Sequence, residues 1–513
     1  MTQNKSVQLF ARIGALSFLA VAAAAPAVEF EVQPLSPPPG TSTSEAEGLN
    51  DKGQIVGIAK SASSPTSLPC WWDGAASGTL PYFSGQDDHR ATTINNSGQI
   101  IGYSTMTVSG GNAFRGMLWT LGSLTAVPIG TFTGVPTEDT LATGINDSSV
   151  VVGFGSGALV GGTPGTGSQG FKWTPGSGNP SPIGLLVNTT FASSVLTGVN
   201  ASGTACGSAT DLFGNERVIR YGSAISNTGV PAGYTSAEAS GINSASDMCG
   251  WTKAGTGARR GFVWTALGGF TVLPMLAGST MLDHVPADIN DRGEVVGNTK
   301  LIGAVTPLLW RNGFVYDLST LLINVDGWSV LRVNDINERS EMVGYGNNPR
   351  TGLRTAVVIR PVQTLNVQLG LWDWSAPAAG VTCDLVFTDA ATGKVLDERS
   401  VTLAGGTAVG TASVKTTAQG NVKVRLKASH WLSRTVGVTL ATYGSATANA
   451  VATNGDVDGD NEVSILDYLE LSAAYDTSAG DAAFNTMADL DGDNLVSILD
   501  YLILSANFEK VGT

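Results

Sequence analysis

The sequence predicts a mainly β, modular chain: a seven-bladed β-propeller, then a small β-sandwich, then a short α-helical pair carrying acidic loops. Three observations lead there. An asparagine-centred hairpin recurs seven times, its period stops near residue 363, and one acidic loop with its following helix occurs twice after residue 450.

Ahead of these elements, MTQNKSVQLFARIGALSFLAVAAAAPAVEF sets Lys5 and Arg12 before an apolar run that ends in small residues, the pattern of a cleavable secretory signal. Ala25-Pro26-Ala27 marks the cleavage region, so residues 1–27 are expected as a signal peptide and the mature protein as secreted and extracellular. No later apolar stretch reaches the roughly 18 residues of a membrane span, so none is expected. Only 14% of the 513 residues are charged and the net charge is -14, which excludes the basic footprint of a nucleic-acid binder. The four cysteines, Cys70, Cys206, Cys249 and Cys383, are too few and scattered for a disulfide framework. Packing is expected to hold the fold.

The hairpin copies are AEGLNDKGQIVGIA, ATTINNSGQIIGYS, ATGINDSSVVVGFG, LTGVNASGTACGSA, ASGINSASDMCGWT, PADINDRGEVVGNT and VNDINERSEMVGYG. Their asparagines, Asn50, Asn95, Asn146, Asn200, Asn243, Asn290 and Asn337, lie 43 to 54 residues apart. Asn, Asp and Gly tolerate the turn and the Val/Ile flanks suit strands. Between the copies stands a second element: CWWDG, GMLWTLG, GFKWTPG, VIRYGS, GFVWTALG, LLWRNG and TAVVIRP. About four strands per repeat of roughly 48 residues is the size of a propeller blade. The chain enters at FEVQPL without a Trp-type strand, and TAVVIRP at 355–361 stands unpaired at the far end. The first blade is therefore expected to be completed by this last strand, which removes an exposed sheet edge. The F-x-W strands and G-I-N-D-x-G-x-V-V-G hairpins of residues 30–361 resemble the HAF family of extracellular repeats, and the whole propeller is set at 28–362. Within it the asparagines are read as turn formers and Cys206 and Cys249 as small core hydrophobes. Trp119, Trp173, Trp264 and Trp310 are read as repeat core.

From 363 to 450, alternating strands with turn residues every 8–12 positions or about that predict a β-sandwich spacer. Trp372, Trp374 and Trp431 are assigned to its core in preference to sugar stacking. His430, one of three histidines with His89 and His284, is read as a satisfied structural residue, because no second His or Cys stands near it to build a zinc site. The chain has no G-x-S-x-G, no H-E-x-x-H and no phosphate loop. A binding or scaffolding role is preferred to an enzymatic one.

The tail spans 451–513. In DVDGDNEVSILD, Asp456, Asp458 and Asp460 take the first, third and fifth places of a twelve-residue calcium loop, Ser464 the ninth and Asp467 the twelfth. DLDGDNLVSILD repeats this with Asp489, Asp491, Asp493, Ser497 and Asp500. Glu462 and Leu495, at the seventh place, offer backbone carbonyls. A hard divalent cation takes six to eight oxygens or so, and alternate carboxylates on a tight loop converge on one point, so two Ca2+ ions are expected. Asn461 and Asn494 replace the usual sharp-turn Gly, being residues that accept positive φ. ANAVATNG ahead of the first loop reads as a linker, so each unit is a loop and one helix, SILDYLELSAAY or SILDYLILSANF.

These duplicated loop-helix units, with Asp at the twelfth place, closely resemble the type I dockerin module over about 454–510. The resemblance implies a cohesin-type partner and the docking of extracellular proteins, often polysaccharide-degrading enzymes, onto scaffolds. Where that family commonly places Ser/Thr and Lys/Arg for recognition, this chain has Ile465 and Leu466 with Ser472, and Ile498 and Leu499 with Ser505; Leu469 and Leu502 extend the two stripes. The implied partner face is apolar and present in two equivalent copies. The expected function is a secreted modular binding or scaffolding protein that docks through a calcium-dependent tail and displays a β-propeller, with polysaccharide as a second candidate partner. Two alternatives stand beside it: a glycan-degrading enzyme component of a polysaccharide-degrading complex, and a calcium-stabilised structural surface protein.

Overall fold

The computed structural model describes residues 28–513 apart from 84–87, 110, 124–125, 157–158, 161–162, 165–166, 188, 190–191, 280–281, 301–304 and 324. The signal peptide expected at 1–27 lies outside the described residues. The chain is mainly β. Among the described residues no helix is long and apolar enough to cross a membrane.

Each asparagine hairpin joins two antiparallel strands, as Thr43–Leu49 joins Gln54–Lys60. The second strand reads as a near-continuous apolar run, Ile55, Val56, Ile58 and Ala59 all buried, because neighbours cover both of its faces. The Trp strand Ser67–Asp73 pairs next and Ala76–Thr79 lies outermost. Five further four-stranded sheets repeat this order, starting at His89, Thr140, Ser194, Ser236 and Asp283. The last sheet adds Phe30–Pro34 beside Arg354–Pro361, Met342–Asn347 and Ser329–Ile336, with Leu322–Ile323 at its edge. Apolar layers fill the space between successive sheets; Val152, Leu196 and Ile219 form one, Cys249, Ile289 and Leu308 another. Trp119, Trp173 and Trp310 are buried, and Trp264 is half-buried. Cys206 and Cys249 are free and fully buried.

The direction of closure is the reverse of the expected one. Phe30–Pro34 pairs antiparallel with Arg354–Pro361, Phe30 facing Pro361 and Pro34 facing Val357. In every repeat the Trp-type strand follows its hairpin, so the first sheet already owns Ser67–Asp73. The strand lacking a neighbour is the last one, and the N-terminal strand covers it. The exposed edge is removed either way.

The asparagines do more than turn the chain. Asn50 Oδ1 accepts the N–H groups of Lys52 and Gln54 at 3.1 and 3.0 Å, while Gly53 supplies the positive φ of +77°. Asn50 Nδ2 donates to the backbone carbonyl of Asn95 at 2.9 Å. The same donation runs from Asn95 to Asn146, Asn200, Asn243, Asn290 and Asn337 in turn, and Asn337 returns it to Asn50 at 3.1 Å. One side chain thus supplies an acceptor to its own turn and a donor to the next hairpin, which aspartate cannot do.

Beyond Pro361, a three-stranded sheet (Val409–Thr416, Gln363–Leu371, Ser445–Ala452) faces a four-stranded one (Val395–Thr402, Thr382–Asp389, Gly420–Ala428, Arg434–Leu440). Leu365, Leu369, Phe387, Leu426 and Trp431 share one buried cluster. This two-sheet unit is fastened to the N-terminal strand by Lys415 to Glu29 and Arg399 to Glu31 ion pairs at 2.6 and 2.7 Å, and by the edge of Tyr443 against Phe30. ANAVATNG is not a linker. Its first half belongs to the strand Ser445–Ala452, where small residues fit beside Gln363–Leu371, and Asn454 is fully buried, donating to the carbonyl of Leu490 at 2.6 Å. His430 is not satisfied either. It is buried between Trp374 and Trp431, neither ring nitrogen has a hydrogen-bond partner, and burial lowers its pKa to about 3. Trp372 projects into solvent.

Candidate metal centre and docking face

The two tail helices, α1 (Ile465–Ala473) and α2 (Ile498–Asn507), start in the same way. Ser464 Oγ accepts the Leu466 N–H and Ser497 Oγ the Leu499 N–H, each at 3.1 Å. The Asp467 and Asp500 carboxylates reach back to the backbone of those serines, at 2.6 and 2.7 Å, completing a capping box. Asp467 Oδ1 also accepts Val457 and Asp458 N–H groups, and Asp500 Oδ1 those of Leu490 and Asp491. The twelfth residue of each loop therefore ties loop to helix. The ninth-place serines, read from the sequence as ligands, also cap the helices.

In the first loop one carboxylate oxygen each from Asp456, Asp458 and Asp460 lies within 4.8 Å of the others; in the second the trio is Asp489, Asp491 and Asp500. Asp467 and Asp493 stand outside these trios, Asp493 accepting the Leu495 N–H at 2.8 Å. Glu462 and Leu495, at the seventh place, keep their side chains exposed. Asn461 and Asn494 take the sharp turn at φ +74° and +68°. Burial, with neighbouring carboxylates adding to it, holds Asp458 and Asp489 above the usual carboxylate range and pushes Asp491 up to about 6. Converging oxygens with no thiol or imidazole among them suit a hard divalent cation of the calcium type.

The two-sheet unit grips both loops. Ser375 donates through its N–H and Oγ to the Asp491 carbonyl at 2.8 and 2.7 Å, with the Trp374 ring against Gly492. Lys427 Nζ reaches Asp456 Oδ2 at 2.5 Å, and the His430 carbonyl accepts the Asp456 N–H at 2.9 Å. Leu432 joins Val463, Leu471, Leu490 and Leu504 in the buried core of the tail.

Each helix keeps a second apolar stripe outside that core. Ile465, Leu466 and Leu469 are 57%, 51% and 55% exposed, and Ile498, Leu499 and Leu502 are 53%, 51% and 55% exposed. Tyr468 and Tyr501 meet edge to face between the helices, ring centroids 5.9 Å apart. Ser472 and Ser505 are exposed one turn further on. The sequence-read partner residues thus form two matched faces. What sequence reading missed is Lys427, which lies on a strand of the other unit and carries no local signal.

Residues 454–509 match the family model described as the dockerin type I domain. No curated protein matches the chain. Among solved structures, a C-terminal interface mutant of a type II cohesin–X-dockerin complex from Acetivibrio cellulolyticus is 21% identical, covering 29% of this chain and 97% of that one, with a TM-score of 0.23. The β-propeller domain of the Trilobed protease from Pyrococcus furiosus is 10% identical over 62% of this chain and 94% of that one, TM-score 0.36. Virginiamycin B lyase from Staphylococcus aureus is 9% identical over 64% and 99%, TM-score 0.38.

Proposed function

We propose that the type I dockerin domain at the C-terminus binds two calcium ions and docks this protein, after secretion, onto a cohesin-type partner. The repeat region over 28–362 is then a closed seven-bladed propeller on display, and the two-sheet unit at 363–450 a β-sandwich spacer that braces the docking tail. The observation that carries the reading is the pairing itself: two acidic loops, each followed by a helix with an equally exposed apolar stripe. A core this small cannot bury four stripes, so the outer pair is left for a partner. Their near-identity gives a partner two equivalent faces, with Ile465 and Ile498 as alternative anchors.

The test is binding of the full chain to purified cohesin modules by calorimetry, with calcium and with chelator. Calcium-dependent binding is expected; binding equally strong in chelator would refute the reading. Ile465→Asp or Ile498→Asp alone should leave affinity within about threefold, and only the double variant should abolish it while calcium-bound helicity persists. Loss of all binding in one single variant would restrict docking to one face. Glycan turnover by the intact chain would instead favour the enzymatic alternative.

A further inference from the structure

We infer that Lys427, a residue of the two-sheet unit, acts as a built-in cation for the first acidic loop and makes the two loops unequal, the second taking calcium more tightly. The inference rests on reading both loops as calcium sites. Their sequences differ only at the second and seventh places, and the one charge among those differences, the seventh-place Glu462, is exposed to solvent, where its field is screened.

Their surroundings separate them. Lys427 Nζ makes three contacts: the Ser429 and Trp431 carbonyls at 2.8 and 2.9 Å, and Asp456 Oδ2 at 2.5 Å. All three of its protons are thereby placed. Asp456 is fully buried, and the Lys427 side chain is 18% exposed. The other Asp456 oxygen accepts the Asn461 N–H at 3.2 Å. The first-place carboxylate of this loop is charge-compensated before any metal arrives. In the second loop Asp489 receives only backbone N–H groups, from Gly492, Asp493 and Asn494. The two-sheet unit meets that loop through neutral groups, Ser375 at the Asp491 carbonyl and the Trp374 ring at Gly492. Among the described residues, no Lys or Arg pairs with its carboxylates within 4.0 Å.

Two opposite consequences follow. An ammonium held at a carboxylate relieves the repulsion of the acidic trio, so the first loop keeps its shape when calcium is scarce. A divalent cation entering the same loop meets a positive charge in a partly desolvated setting, where like charges repel far more than in water. The first loop is therefore preformed and weak, the second tight and dependent on its ion.

The experiment is a calcium titration of the full chain by calorimetry, with terbium luminescence as a parallel probe. Two steps are expected, the tighter lost in Asp500→Asn and the weaker lost in Asp467→Asn. Lys427→Met should strengthen the weaker step by about tenfold, leave the tighter step in place, and lower the melting temperature of the chelated protein. A merely structural lysine would weaken calcium binding when removed, so a weaker or unchanged step in Lys427→Met overturns the inference. Should that variant not fold, the assignment still decides: a tighter step that disappears with Asp467→Asn overturns it. No calcium step in either loop would overturn the reading of the loops themselves, an outcome distinct from a reversed order.

Discussion

In the repeat region a tight turn is fixed by asparagine, in the tail by aspartate, and one amide nitrogen separates two ways of holding a fold. Asn50 accepts from its own turn and donates to the next hairpin, so neutral hydrogen bonds close the ring among themselves. Asp456 and Asp489 can only accept. Their carboxylates crowd together, Asp491 is pushed up to about 6, and the balance must come from a cation, whether an ion or Lys427. The contrast teaches that the repeat region is chemically self-contained and the tail is not.

The largest effect expected from this contrast is on chelation. Amides of Leu490, Asp491 and Asn494, which donate to Asp500 and Asp489, should exchange with solvent at least about a hundredfold faster when calcium is removed. The amides of Gln54 and Gln99, bonded to the ring asparagines, should not change. Equal acceleration in both regions would break the comparison.

A residue exchange tests it next. Asn337→Asp puts a carboxylate against the Asn50 carbonyl and against Glu341 Oε2, which Asn337 now bonds at 2.8 Å. It should cost about 3–4 kcal/mol by thermal melting, with or without calcium, because it leaves a buried charge facing acceptors. Asp500→Asn, the reverse change, should cost far more stability with calcium than in chelator, where only the backbone N–H bonds of one carboxylate oxygen are lost. If both variants respond alike to calcium, the two turns are held in the same way.

The smallest expected effect sharpens the picture of acid sensitivity. His430 titrates near 3 when folded because burial disfavours its charge, so the unfolded chain binds its proton first as pH falls below about 6.5. Stability contributed by neutral His430 is present above that pH and lost below it, by less than about 3 kcal/mol between pH 6 and 4. The raised carboxylates Asp458, Asp489 and Asp491 work in the opposite sense: without calcium, their protonation as pH falls relieves the apo tail, that of Asp491 near pH 6. His430→Phe should remove the downward slope of the two-sheet unit between pH 6 and 4, measured by urea melts in chelator. An unchanged slope would place acid sensitivity elsewhere.

The mainly β character, the recurring hairpins and the two acidic loops were legible because each rests on a local pattern: a turn asparagine between β-branched flanks, or carboxylates at alternate places. What escaped sequence reading depends on neighbours distant in the chain. Turn propensity alone accounts for Asn50, so its donor role towards Asn95 leaves no extra trace. FEVQPL carries no mark of which sheet it will join, and the direction of closure came out reversed. ANAVATNG looks like a linker by composition, yet its alanines suit a strand lying close beside Gln363–Leu371. Lys427 is one surface-like lysine on an alternating strand until the fold brings it to Asp456.

The first and last strands of the two-sheet unit run parallel, with Thr364 opposite Ser445 and Leu371 opposite Ala452. The repeat region is attached to the leading end of one and the tail to the trailing end of the other. When the tail is anchored and drag acts on the rest of the molecule, the pair is pulled lengthwise in opposite directions, and every rung of the ladder shares the load. An antiparallel pair would be attached at one end and would open rung by rung. Resistance to such a pull is set by the rate of forced rupture and not by equilibrium stability, so this strand pair would bear a pull between the tail and the repeat region in shear.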